Sequence, residues 1–421
     1  MDMEAERRLK AIRCGVLIDG TSGSPRRNAV ILIEGDTIRD VGSEGEVEIP
    51  GEAEIVDASK LTVMPGLIDA HVHLCINGEP SVFALLQYPP GLIQLMAARN
   101  ALQTLEAGFT TVRDLGAPMG FAISLREAIN RGIMRGPRIL AAGRIISQTG
   151  GHGDFRLPIG VGFEELSRLA DGVDEMRKAV RMELREGVDW IKICSSGGVM
   201  SPRDPVDVRQ FTVDEIRAAV EEAAAYGRSV ASHAHGTTGI KNAVLAGVRT
   251  IEHGTLMDEE AAEMMAERGV YHIPTLVASY NILKHGREAG IPEYAMRKAE
   301  QIAEYPARSL RLSHRMGVPI AMGTDSGTPF NRHGENAKEL ELMVEAGLKP
   351  MEAIVAATKT AAMAIGLGKQ TGTLEPGKWA DIIAVDGDPL SDIRVLQDKS
   401  RIKMVMKGGV MEVDRGVEVI A

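Results

Sequence analysis

The 421-residue sequence is poor in several things, and each shortage excludes something. Aromatic residues make up only 4%, too few for the stacking platforms that hold single-stranded nucleic acid. Positive charge is in deficit, with 48 Lys and Arg against 58 Asp and Glu and a net charge of −10. An acidic chain repels phosphate backbones and anionic lipid, so neither nucleic acid nor a membrane is an expected partner. Cys14, Cys75 and Cys194 are the three cysteines, with no CxxC pair. That sparse, odd count argues against a disulfide framework and suits a reducing compartment. No apolar run approaches the roughly 18 residues of a membrane-spanning helix. The opening MDMEAERRLKAIR is charged and lacks the apolar core of a secretory signal, so a cytoplasmic location is expected.

What is present is ordinary globular material, 44% apolar and 25% charged. The length allows two or three domains, of which an α/β barrel alone can take about 250 residues. The first 64 residues read as short strands, with a hairpin signal at Glu34-Gly35-Asp36. Eight apolar runs then follow, at 66–73, 110–116, 138–143, 189–197, 229–236, 250–254, 271–275 and 319–325. Stretches of helical periodicity such as 173–186 and 213–226 lie between them. Eight strands alternating with helices predict a parallel (β/α)8 TIM barrel, an α/β fold. After residue 371 strand texture returns, at 380–385, 405–410 and 417–420. The expected organisation is a barrel over 65–370 beside a small β-sandwich made by 1–64 and 371–421.

Polar residues interrupt the apolar runs where a barrel concentrates its chemistry. His71 and His73 are two apart on one strand and so share a face. Lys192 interrupts Trp190-Ile191-Lys192-Ile193-Cys194. His233, His253 and Asp325 end three further runs. Two histidines alone are as compatible with hydrogen-bonded core residues as with a metal. Six such groups at predicted strand ends are hard to explain by packing, because buried charge must be paired or ligated. Most successive groups lie about 40 residues apart per strand–helix unit. The short step from His233 to His253 leaves room only for a small helix, 238–246.

These residues sit in PGLIDAHVH (65–73), IKI (191–193), SHAHG (232–236), IEHG (251–254) and GTDSG (323–327), and the chain closes with TGTLEPGKWADIIAVDGDPL (371–390). Together the motifs resemble the amidohydrolase superfamily in its binuclear-metal subtype, over nearly the whole chain. The resemblance implies that His71, His73 and Asp325 hold a buried metal and that His233 and His253 hold a more exposed one. Lys192, carboxylated by carbon dioxide, would bridge them. Imidazole and carboxylate donors suit two zinc ions. Cys194 reads as a small buried side chain rather than a ligand. In such a site two cations lower the pKa of a shared water, and Asp325 would take its proton and deliver it to the leaving amine.

SQTGGH (147–152) is similar to the prolidase-like branch, which contains Xaa-Pro dipeptidases and ochratoxin-amidohydrolase-like enzymes. His152, on its own an ordinary loop histidine, would there stabilise the developing oxyanion. The branch often has tyrosine where this chain has His235, which is expected to contact substrate. The function implied is hydrolysis of dipeptides of the Xaa-Pro type or of N-acyl amino acids, releasing a C-terminal amino acid. Hydrolysis of bulky aromatic amides such as ochratoxin, or of lactones and carbamates, is the alternative. A non-enzymatic assembly protein is disfavoured because all six ligands are present. Arg144, Arg203, Arg332 and His333 are candidates to clamp a substrate carboxylate, and Tyr88 to form a lid. The expected partner is a small peptide or amide, and the expected assembly a homo-oligomer.

Overall fold

The computed structural model describes residues 9–155 and 165–420. The N-terminal strands are β1 (Leu9–Leu17), β2 (Arg26–Glu34), β3 (Thr37–Ser43) and β4 (Glu54–Pro65). They share an eight-stranded sheet with the C-terminal strands, in the order β16-β15-β14-β4-β1-β2-β3, with β17 also on β4. Here β14 is Ile382–Val385, β15 Ile402–Lys407, β16 Val410–Asp414 and β17 Glu418–Ile420. The expected hairpin turn joins β2 to β3, with Gly35 at φ 61°, a conformation that glycine adopts without steric cost. Ile12, Ile31 and Val56 from one end of the chain pack with Ala384 and Met404 from the other. Ile383, Ile402 and Val405 instead pack on Leu105 and Phe109 of the adjoining α/β layer. Both ends of the sequence thus build the β-sandwich seated on the barrel.

The barrel strands are β5 (Leu67–Val72), β6 (Phe109–Asp114), β7 (Arg138–Ala141), β10 (Trp190–Cys194), β11 (Ser229–Ala234), β12 (Thr250–His253) and β13 (Tyr271–Ile273). β5, β6 and β7 pair in parallel, as do β10 through β13. Hydrogen bonds join the two arcs. Asp189 N donates to Ala141 O at 2.8 Å. On the other side the segment 319–325 bridges β13 and β5, with His272 N donating to Pro319 O at 2.9 Å and Ala70 N to Met322 O at 3.0 Å. This eighth segment is not a regular strand, which departs from the expectation for 319–325. Met322 N turns aside to Ala356 O, and Asp325 is in the left-handed region at φ 59°. The short strands β8 (Ile145–Ser147) and β9 (Ser167–Leu169) pair beside β10.

Helices follow the strands. Val213–Ala225 is typical. Glu215 N donates to Thr212 Oγ1 at 3.3 Å, and Thr212 N to Glu215 Oε2 at 2.8 Å. This capping box satisfies two N-terminal donors, while Ile216, Ala219 and Ala223 face the core. The small helix expected after His233 runs Thr237–Ala246. Among the described residues no helix is long and apolar enough to cross a membrane. Catalytic groups in this architecture belong at the C-terminal ends of the strands, where His71, His73, Lys192, His233 and His253 lie.

Candidate metal centre and active-site cleft

The six groups converge. His71 Nε2 and His73 Nε2 lie 3.3 and 3.1 Å from Asp325 Oδ1, and Lys192 Nζ is 3.4 Å from His71 Nε2. Donor atoms of His71, His73 and Asp325 fall within 4.8 Å of one another, and so do those of His233, His235 and His253. All are buried, Lys192 to 3% exposure. His253 (φ 69°) and Asp325 (φ 59°) are non-glycine residues in the left-handed region. Such conformations cost of order 1–3 kcal/mol each and cluster at functional sites.

Outer partners hold each ring. His73 Nδ1 lies 3.0 Å from Gly116 O and His253 Nδ1 2.6 Å from Thr275 Oγ1. His235 Nδ1 is 2.7 Å from Thr255 Oγ1, and His233 Nε2 is 3.2 Å from Gly197 O. His71 Nδ1 lies 2.9 Å from Glu252 Oε2, close enough for an ion pair but off the hydrogen-bond axis. Engaging one ring nitrogen directs the other toward the centre, as metal-binding histidines require.

Behind His71 stands a buried polar chain. Arg113 is fully buried and donates to Glu252 Oε1 at 2.9 Å, Ala70 O at 2.7 Å and Thr250 Oγ1 at 3.1 Å. Its guanidinium lies 4.4 Å over the Trp190 ring. Burial works to raise the Glu252 carboxyl, but Arg113 and His71 outweigh it and hold it at about 2.

Burial dominates the electrostatics. It lowers His71 and His152 to about 4 and His235 to about 3. His233 and His253 fall well below the ordinary value, through burial and then neighbouring imidazoles. For His73 burial is outweighed by the Asp325 carboxylate, and the ring is raised. Burial lowers Lys192 too, which favours the neutral amine. Among the described residues its one side-chain hydrogen-bond partner is His71, so no carboxylate hydrogen-bonds the buried amine. Imidazoles facing one centre, all but His73 held toward the neutral form by burial, a carboxylate and an amine able to take up carbon dioxide fit a pair of divalent cations. Cys194 also lines the cleft, its thiol pushed up to about 12 by burial.

His152 stacks on His233 at 4.1 Å, with Nδ1 2.8 Å from Ser201 Oγ. A Cβ at Gly198 would sit 2.1 Å from that nitrogen, so glycine there is needed for the ring's position. His235 stacks on His253 at 4.7 Å. Val82, Ile145, Phe155, Leu166 and Ile282 wall the cleft above the centre.

The carboxylate-clamp candidates do not gather here. Arg144 is committed to Glu165 and Glu186, 2.5 and 3.1 Å away. His333 is buried, with Nε2 3.2 Å from His73 O and 2.9 Å from Ile76 O, so it braces the loop after β5 instead of facing substrate. Arg203 and Arg332 are exposed, and neither is among the residues of the cleft wall. Tyr88 caps the turn of 82–87, outside that wall. Sequence reasoning missed Arg113 and Glu252, charged residues on the barrel strands FTTVRD and TIEH.

The chain matches the amidohydrolase family over residues 62–411. It belongs to that family. It is 36% identical to the ochratoxinase of Aspergillus niger, over 96% of this chain and 86% of that protein. A solved Xaa-Pro dipeptidase with bound methionine in its active site superposes with a TM-score of 0.88 at 38% identity, covering 96% of this chain and 99% of that one. A prolidase complexed with N-methylphosphonate-L-proline gives 0.89 at 36%, covering 97% and 100%. The chain is therefore a hydrolase of carbon–nitrogen bonds, an amidohydrolase of the prolidase- and ochratoxinase-like branch that acts on small amides. Its two donor triads accord with the binuclear metal centres typical of the superfamily.

Proposed function

We propose that the protein hydrolyses dipeptides of the Xaa-Pro type, releasing the C-terminal amino acid. The supporting observation is the set of six donors at the floor of an apolar-walled cleft. In this reading His71, His73 and Asp325 would hold one zinc ion and His233 and His253 a second. Lys192, as its carbamate, would help to hold both. The cations, when bound, supply an acidified water and polarise the amide carbonyl. Asp325 accepts a proton on its carboxylate and passes it to the leaving nitrogen. His152, held at Nδ1 by Ser201, offers its other nitrogen to the carbonyl oxygen as negative charge develops there. His235 contacts the same end of the substrate.

The apolar walls, Phe155 and Leu166 among them, favour a second reading. Bulky aromatic amides of the ochratoxin kind would fit the same cleft chemistry. The proposal extends to a cytoplasmic homo-oligomer, in keeping with three free, buried cysteines, and to a barrel bounded at 65 and 370. The test is metal-reconstituted enzyme against a panel of dipeptides, N-acyl amino acids and aromatic amides, reading the released amine. Release of proline from Xaa-Pro substrates is expected. Turnover of lactones or carbamates alone would overturn the reading.

A further inference from the structure

Outside the metal-ligating floor, the cleft wall carries one charged side chain among the described residues, Glu79. It lies on the loop that follows His73, and that loop is pinned from several sides. His333 holds the carbonyls of His73 and Ile76. Asn100 Nδ2 donates to Leu74 O at 2.9 Å and to Asn77 Oδ1 at 2.7 Å. Gly78 N donates to Gly327 O and accepts Phe330 N at its carbonyl, both at 2.9 Å. The carboxylate itself is oriented by Asn77 N, 3.0 Å from Oε2, and by Tyr88 Oη, 3.4 Å from Oε1. Two contacts leave about half of a carboxylate's four acceptor positions open.

No arginine or lysine lies within ion-pair distance of Glu79 among the described residues, and the cleft that it lines is walled by apolar residues, Val82 and Phe155 among them. A carboxylate in such surroundings repels anions and is stabilised by a cation brought to it. We propose that Glu79 binds the α-ammonium of the substrate's N-terminal residue, making the site selective for dipeptides with a free amino terminus over N-acyl amino acids and uncharged aromatic amides. This inference rests on the amidase reading of the same cleft. It chooses between the two substrate classes that reading leaves side by side.

The experiment compares Leu-Pro with N-acetyl-Leu-Pro, using metal-loaded wild-type enzyme and Glu79→Gln. The wild type should prefer the free amine by about 10–100-fold in kcat/KM, the worth of one charge-assisted hydrogen bond. The preference should reside in KM and fall to near one in Glu79→Gln. A wild-type ratio near one, or a ratio that survives the substitution, overturns the proposal. Calorimetric binding of leucinol against N-acetylleucinol reads the same contrast without any bond being cleaved. If neither peptide is hydrolysed but the leucinol preference is present and vanishes in Glu79→Gln, the dipeptidase reading fails and the ammonium site stands. Equal binding of the two alcohols overturns the site itself.

Discussion

Replacing Arg113 with methionine removes the guanidinium behind His71 while keeping an apolar side chain of comparable length. Three hydrogen bonds go, to Glu252, Ala70 and Thr250, and the Glu252 carboxylate is left fully buried without its cation. Removing one partner of a buried pair costs about 3–5 kcal/mol, a large share of the roughly 5–15 kcal/mol that stabilises a domain. Urea denaturation at fixed metal concentration should register that loss. Glu252→Gln should be similarly destabilising, and it also weakens the anchor on His71. Loss of such an outer partner typically costs about 10–100-fold in metal affinity, read by competition with a chromophoric chelator. The double variant Arg113→Met/Glu252→Gln has no stranded charge and should regain much of the stability. Its metal affinity should stay low, because His71 remains unanchored. The reasoning fails if Arg113→Met lies within about 0.5 kcal/mol of wild type, the range of ordinary surface changes, or if the double variant loses as much as the two single ones together.

Lys192→Ala should lose metal and activity together, with short carboxylic acids restoring part of both; metal analysis and turnover with and without added acid check this. His152→Ala should lower kcat by about 10²–10³-fold, as for one lost oxyanion donor. Gly198→Ala should do nearly the same by displacing the ring, with little change in metal content. Burial pushes the Glu339 carboxyl up to about 8 against two backbone donors, Leu276 N and Val277 N. The folded state therefore holds its proton more tightly than the unfolded chain, and stability from this group falls as pH rises from about 4.5 to 8. Glu339→Gln should flatten that part of the stability–pH curve measured by urea denaturation.

Much of this architecture was legible because both its signals are local. Apolar runs of strand length marked all eight barrel positions, and a polar residue interrupting or ending such a run marked each proposed ligand. The segment 319–325 kept its place but not its regularity, since the backbone turns at Asp325 and Met322 bonds outside the sheet. β8 and β9 are three residues each, too short for alternation to register. Arg113 and Glu252 are strand charges as Lys192 is, but in FTTVRD and TIEH they stand among other polar residues. Their partnership spans β6 and β12, and only the closed barrel brings them together. His333 misled because a histidine near a strand end can brace backbone carbonyls as well as face a ligand. Glu79 carried no motif; its setting in an apolar cleft is wholly tertiary.

The central claim is that His71, His73, Lys192, His233, His253 and Asp325 form one two-metal centre that hydrolyses amides. Zinc titration of chelator-stripped enzyme, following amine release from its best dipeptide, tests it directly. Activity should rise from near zero and level off at about two equivalents per chain. Full activity in the stripped protein, or a plateau at one equivalent, would contradict it.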